Sequence, residues 1–258
     1  MVKWRRLGWT WDQLARHNAL GAILTEDGAI ADWRPQAFFA TGRADIERFM
    51  ATLSRVAPQG PRARVLDFGC GVGRITRALA DHFPHVVGVD VSSSMIDQAR
   101  TLNADCPGCQ FVLNRARHLH RFTDASFDVV YSRLVLQHIQ PALARRYISE
   151  LVRLVVPGGV LMFQLPERVG VDPREAFESA PVTGSGLKRS LPRPLVVAYR
   201  RVKYAFVTRH QKVEMEMFGV PHDEVLGVIQ AAGGRVLATI PDQSHGPSVP
   251  GFEYWVTK

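Results

Sequence analysis

Three cysteines in 258 residues are too few to staple a fold. Stability must come from a hydrophobic core, and at 46% hydrophobic composition the chain can bury one, with room for a small cap or insertion. Cys106-Pro107-Gly108-Cys109 is a C-x-x-C, readable as half a zinc site or a redox pair, but no second C-x-x-C accompanies it. It falls between a predicted helix and a predicted strand and is read as a plain turn, so no metal ligands are assigned. No apolar run is long enough to span a bilayer. The basic start Met1-Val2-Lys3-Trp4-Arg5-Arg6 lacks the apolar segment of a secretory signal, which makes a cytoplasmic location the expectation. Acids are also short, 24 against 32 Lys and Arg, leaving a net charge of +8. That balance favours encounter with anions without amounting to a nucleic-acid motif.

What the chain does have is the stretch Val65-Leu66-Asp67-Phe68-Gly69-Cys70-Gly71-Val72-Gly73-Arg74-Ile75-Thr76, followed by Gly88-Val89-Asp90. An apolar, β-branched run reads as a buried strand, and three alternate glycines as a turn where backbone passes close to a ligand. A helix starting near Arg74 would offer unpaired N–H groups to that ligand. Dinucleotide loops run G-x-G-x-x-G, whereas this one runs G-x-G-x-G with Asp67 two residues ahead of it. A carboxylate there would repel a pyrophosphate and attract an ammonium or a sulfonium. Asp90, ending the next strand, can accept from both hydroxyls of a ribose, as an acid in NAD-binding proteins also does.

Asp67-Phe68-Gly69-Cys70-Gly71-Val72-Gly73 with Asp90 resembles the cofactor site of class I S-adenosylmethionine-dependent methyltransferases. Ser126-Phe127-Asp128-Val129-Val130 resembles the start of that family's fourth strand, Leu136-Gln137-His138-Ile139 its following segment, and Pro157-Gly158-Gly159 the turn into its fifth. The resemblance implies S-adenosylmethionine as methyl donor and S-adenosylhomocysteine as product. It implies cofactor contacts at Asp67, Gly69, Cys70, Gly71, Gly73, Asp90 and Val91, with Met95 on the adenine face, although Met95 equally suits a core. The family usually supplies an acid or amide to the adenine amino group. Here Arg115 aligns nearest that acid and Asn114 could take the role. Ser132 ends a strand on the same side of the sheet.

In the family the segment after the fourth strand lies beside the transferred methyl group. The Asn/Asp-Pro-Pro-aromatic tetrad of amino-methylating nucleic-acid enzymes and the Pro-Cys of cytosine carbon-5 enzymes are both missing from it. An alcohol acceptor must lose a proton, and a histidine is the natural base near neutral pH. His138 is the candidate, beside a plain packing and capping reading, and Gln137 can line the same cleft. Arg117-His118-Leu119-His120-Arg121 reads as a solvated loop.

Trp4, Trp9, Trp11 and Trp33 are four of the five tryptophans and lie before the first strand. They read as anchors of a helical layer over residues 1–60, or as a lid centred on residues 33–43. In that lid Arg43 could meet the methionine carboxylate and Trp33 the acceptor. Ile46, Phe49, Met50, Leu53 and Val56 predict a helix over Ala44–Val56. Strand and helix alternate through a core over 61–165, which argues for a parallel sheet with helices on both faces. Residues 166–220, broken by Pro166, Pro173, Pro181, Pro192 and Pro194, read as a cap insertion. Its basic stretch 195–209 could roof the acceptor or touch an anionic membrane. Residues 221–258 add a helix and two closing strands.

The expected architecture is therefore α/β: a Rossmann-like, seven-stranded, mostly parallel sheet with an antiparallel C-terminal hairpin, an N-terminal helical lid and an insertion after the fifth strand. The expected activity is methyl transfer to a small-molecule or sugar acceptor, most simply at oxygen. An RNA methyltransferase, a non-catalytic binding protein on the same fold and a NAD-dependent oxidoreductase are the alternatives.

Overall fold

In a computed structural model of the chain, residues 2–26, 29–30, 32–169, 216–244 and 249–258 are described. Most of the 166–220 insertion, including 195–209, lies outside them. The sheet is built from short runs in which neighbouring apolar residues face opposite sides. Its strands are β3 (Arg64–Phe68), β4 (His85–Asp90), β5 (Cys109–Leu113), β6 (Phe127–Ser132), β7 (Val155–Pro166), β8 (Arg235–Asp242) and β9 (Gly251–Thr257), in the order β5-β4-β3-β6-β7-β9-β8. β3 to β7 are mutually parallel, and β9 inserts antiparallel between β7 and β8. β8 pairs with β9 and so runs with the parallel set.

Four further helices follow α1 (Val2–Ile23) and α2 (Pro35–Val56): α3 (Arg74–Leu79), α4 (Ser93–Leu102), α5 (Pro141–Leu154) and α6 (His222–Ala231). A small hairpin of β1 (Thr25–Glu26) and β2 (Ala29–Ile30) joins α1 to α2. Val65, Val86, Val129 and Met162 turn to one face of the sheet, against Ile46, Phe49 and Leu53 of α2 and Ile75 and Leu79 of α3. Leu66, Val87, Val130 and Phe163 turn to the other, against Tyr147, Ile148 and Leu151 of α5 and Val225 and Ile229 of α6. Each of these large apolar side chains contributes about 1.5–3 kcal/mol by leaving water.

Two boundaries differ from expectation. α2 starts at Pro35, not Ala44, because Pro35 takes the first helical position, where its fixed φ fits and no N–H is needed. The span 33–43 is therefore mostly helix. Pro157-Gly158-Gly159 falls inside a strand that already starts at Val155, as an irregularity where the β6–β7 register shifts, with Gly158 at φ +75°.

Candidate functional site

The carboxyl ends of β3 and β4 form one wall of the site. Gly69, Gly71 and Gly73 have φ of +81°, +54° and +86°, which favours glycine at all three. The amides of Gly69 and Cys70 both donate to Val89 O, tying the turn to β4. Asp90 locks it further: Oδ2 accepts from Gly71 N at 3.0 Å and Oδ1 from Ser92 N at 2.8 Å. One carboxylate thus spaces the glycine turn from the start of α4, and each oxygen keeps a lone pair for a ligand. Burial raises the Asp90 carboxyl above its ordinary range, opposed by the Ser92, Gly71 and Val91 amides.

Asp67, one residue before the end of β3, has 3% of its surface exposed, and Thr76 Oγ1 donates to its Oδ2 at 2.6 Å. Burial pushes this carboxyl up to about 7, against the pull of the Thr76 hydroxyl and the Arg74 guanidinium, with Asp90 adding to the rise. A buried acid poised near neutrality is a receptor for a cation.

Both acids line a cavity of about 500 Å³ that also takes in Gly69, Cys70, Gly71, Val91, Met95 and Asn114. Asn114 Nδ2 donates to Ala116 O and His118 O, so its Oδ1 carries the remaining hydrogen-bonding capacity. Trp4, Leu7, Trp11, Ile23 and Leu24 of the N-terminal segment complete the wall. Asp12 fastens α1 there: its Oδ1 accepts from Ser92 Oγ at 2.7 Å and Ser94 N at 3.0 Å, at the start of α4. Asn18 breaks the helix at φ −158°, and its side chain caps the following turn through Gly21 N.

On the opposite wall, the segment after β6 brings Arg133, Leu134, Val135, Gln137 and His138 to the cavity. Leu134 sits at φ +61°, and a bulky side chain held in that region costs on the order of 1–2 kcal/mol. His138 Nδ1 lies 3.3 Å from Glu216 O and Nε2 lies 3.3 Å from Gln137 Nε2. If Nδ1–H donates to that carbonyl, Nε2 holds the lone pair. Trp11 meets the ring edge-on at 5.6 Å. Gln137 is 3% exposed, and its Oε1 has no hydrogen-bond partner among the described residues.

Several residues singled out in the sequence are not among the described cavity lining. Arg43 is exposed on α2. Arg74 takes the inner position, 6% exposed, with Nη1 bonded to Asp45 Oδ2 at 2.6 Å and Thr41 Oγ1 at 3.1 Å. Trp33 donates to Leu24 O and packs on Phe38, pinning the end of the cover without lining it. Arg115 is exposed and bonds Ser93 Oγ, Ser132 Oγ donates to Phe68 O, and a Cβ on Gly73 would meet Asn103 and Phe111. These are structural placements. The sequence carried a signal for Arg74: a cation in a helix's first turn opposes the helix dipole, a local cost that calls for a compensating role. Nothing local marked Leu134.

The Cys106 to Cys109 turn is closed by Cys109 N donating to Cys106 O at 3.1 Å. Among the described residues there is no cluster of three or more His, Cys, Asp or Glu fit for a metal, and no helix long and apolar enough to cross a membrane.

Residues 66–163 match the family described as the methyltransferase domain. The chain is 29% identical over 176 residues to a trans-aconitate 2-methyltransferase of Rhodopseudomonas palustris, covering 64% of this chain and 66% of that one. It is 37% identical over 121 residues to a malonyl-[acyl-carrier protein] O-methyltransferase of Herminiimonas arsenicoxydans, covering 45% and 42%. The chain thus spans between about two fifths and two thirds of the length of these relatives. In fold it resembles the magnesium protoporphyrin IX methyltransferase of Synechocystis, solved with bound S-adenosylhomocysteine, at a TM-score of 0.60 and 17% identity over 98% of this chain and 99% of that one. The glycine turn, the two acids, the sheet order and the matched domain agree: residues 66–163 carry a methyltransferase domain, and the chain resembles the class I S-adenosylmethionine-dependent methyltransferases in fold and cofactor-site motif.

Proposed function

We propose that this protein binds S-adenosylmethionine in the cavity and transfers its methyl group to a small-molecule acceptor at a hydroxyl oxygen, such as that of a sugar, leaving S-adenosylhomocysteine. The observation that carries the reading is one cavity lined both by Asp67, Asp90 and the glycine turn and by Gln137 and His138. The residues fit the cofactor. Asp67 suits the ammonium, the spare lone pairs of Asp90 suit the ribose hydroxyls, and Val91 and Met95 offer apolar surface to the adenine. Arg74 suits the carboxylate, since its buried Nε has no hydrogen-bond partner among the described residues.

When bound, the cofactor supplies a methyl group on a leaving group that is already activated, so positioning carries much of the catalysis. In this reading Gln137 Oε1 accepts a hydrogen bond from a second polar hydrogen of the acceptor and so orients it, leaving the reacting hydroxyl's proton to His138. His138 Nε2 takes its proton as the new oxygen–carbon bond forms. Trp4, Trp11 and Ile23 exclude water above the site.

The test is label transfer from radioactive S-adenosylmethionine into extracts, with His138→Ala beside the wild type. Turnover should fall by about 10²–10⁴-fold with S-adenosylhomocysteine binding kept. Unchanged turnover overturns the role of His138. Thermal stabilisation by NAD and not by S-adenosylhomocysteine overturns the cofactor.

A further inference from the structure

A second cavity, of about 490 Å³, adjoins the first. The two share Trp4, Leu7 and His138, so they meet at the residue proposed to handle the acceptor's proton. Its apolar surface comes from Leu7, Leu143 and Phe218. Its cations come from three separate segments: Arg6 on α1, Arg117 in the β5–β6 connection and Arg146 on α5. Glu216 is the one acid among the described lining residues, which leaves a net of two positive charges. The first turn of α5 also opens here through Ala142 and Leu143, without a side-chain cap, and adds the positive end of a 14-residue helix. Tyr147, next to Arg146 on α5, lines the first cavity, so α5 runs along both clefts at their junction. Scattered arginines on a basic protein would be solvated singly. Three that converge on a cleft with apolar walls concentrate anions within it.

Building on the methyl-transfer reading, we infer that the acceptor is a small organic anion. Its carboxylate or phosphate is held by Arg117 and Arg146, with Arg6 at the rim, and its remaining part extends over Leu7 so that the atom to be methylated reaches His138. Guanidinium groups suit this role because their paired donors match the oxygens of either anion.

The experiment starts from the low-molecular-weight filtrate of a ribonuclease-treated extract, incubated with the full chain and labelled S-adenosylmethionine and then passed over an anion exchanger. Label in the retained fraction is expected. Phosphatase treatment that releases this label into the flow-through identifies a phosphate, and label that stays retained identifies a carboxylate. Label in a flow-through product other than S-adenosylmethionine, with none retained, overturns the anion while leaving methyl transfer standing. Label that is incorporated only when the untreated macromolecular fraction replaces the filtrate, and is lost with ribonuclease, overturns it in favour of RNA. No label outside S-adenosylmethionine itself, with S-adenosylhomocysteine still bound, is the failure of the methyl-transfer reading itself. With the retained acceptor, Arg117→Gln/Arg146→Gln should raise KM by about tenfold or more at unchanged S-adenosylhomocysteine stabilisation. Arg146→Lys, which keeps the charge, should recover part of that loss. An unchanged KM in the folded double variant overturns the assignment.

Discussion

Replacing Asp67 by Asn should stabilise the empty protein and weaken its ligand. Asp67 is 3% exposed, and burial lifts its carboxyl from 3.8 to about 7. Because the folded value lies above the unfolded one, the group's contribution to stability is fully present below about pH 4 and is lost as pH rises to about 7. The shift of about three units corresponds to at most about 4 kcal/mol of ionisation cost in the empty site above neutrality. The asparagine carries no charge and can still accept from Thr76 Oγ1. If half the cost is recovered, about 2 kcal/mol, Tm at about pH 8 should rise by roughly 4–8 °C in a domain of this size. The gain should fade as pH drops and vanish below about pH 3, where Asp67 is protonated in both states. A bound ammonium would draw the proton off Asp67, so wild-type affinity for S-adenosylhomocysteine should climb from about pH 6 to about pH 8 and that of Asp67→Asn should stay flat and roughly 10–30-fold weaker at the upper end. Thermal scans across pH, with calorimetry in buffers of different ionisation enthalpy, read both effects. A variant that gains nothing at high pH relative to low pH refutes the ionisation cost. Undiminished affinity refutes the ammonium partner.

Asp12→Ala removes the acceptor joining α1 to Ser92 and Ser94 and should speed S-adenosylhomocysteine release by about tenfold in stopped-flow, for a loss of roughly 1–2 kcal/mol. Burial opposes ionisation of Asp12, but Ser92, Ser94 and Arg115 hold its carboxyl below the ordinary value of 3.8. Its contribution is therefore present above that value and lost as pH falls below it, and acid should mimic the substitution. Gly42→Ala places a Cβ 2.5 Å from the backbone oxygen of Arg74, so the roughly 1–3 kcal/mol cost of overpacking should exceed the ~1 kcal/mol gain in helix propensity and Tm should drop. Phe49→Ala empties the stack on Trp255, 5.2 Å between ring centroids, and should cost about 3–5 kcal/mol in urea unfolding. A cost near 1 kcal/mol would mean the two helix-facing layers repack freely.

Legibility followed locality. The glycine turn was readable because closely spaced glycines and a flanking acid act through backbone conformation and charge within a dozen residues. Period-2 runs such as Val65-Leu66 and Val129-Val130 marked the parallel strands, since each residue's face follows from its neighbour's. The start of α2 was missed because the apolar spacing is clear only from Ile46, while Pro35 initiates the helix about three turns earlier. Arg43 was read as the carboxylate's partner from its place in the 33–43 segment, which says nothing of the side of α2 it occupies.

Sequence alone determined the strand-turn-helix unit, the alternation that makes the sheet parallel and the chemical character of Asp67 and Asp90, because each rests on near neighbours. Tertiary structure decided what those residues share a cavity with. Asp90 bridging Gly71 to Ser92, α1 fastened over the glycine turn by Asp12, Arg74 held inside by Asp45 and Thr41, and Arg6, Arg117 and Arg146 around one cleft are all pairings between distant segments. Their reason is packing: burying both faces of one sheet fixes where each helix lies, and that placement fixes which side chains meet.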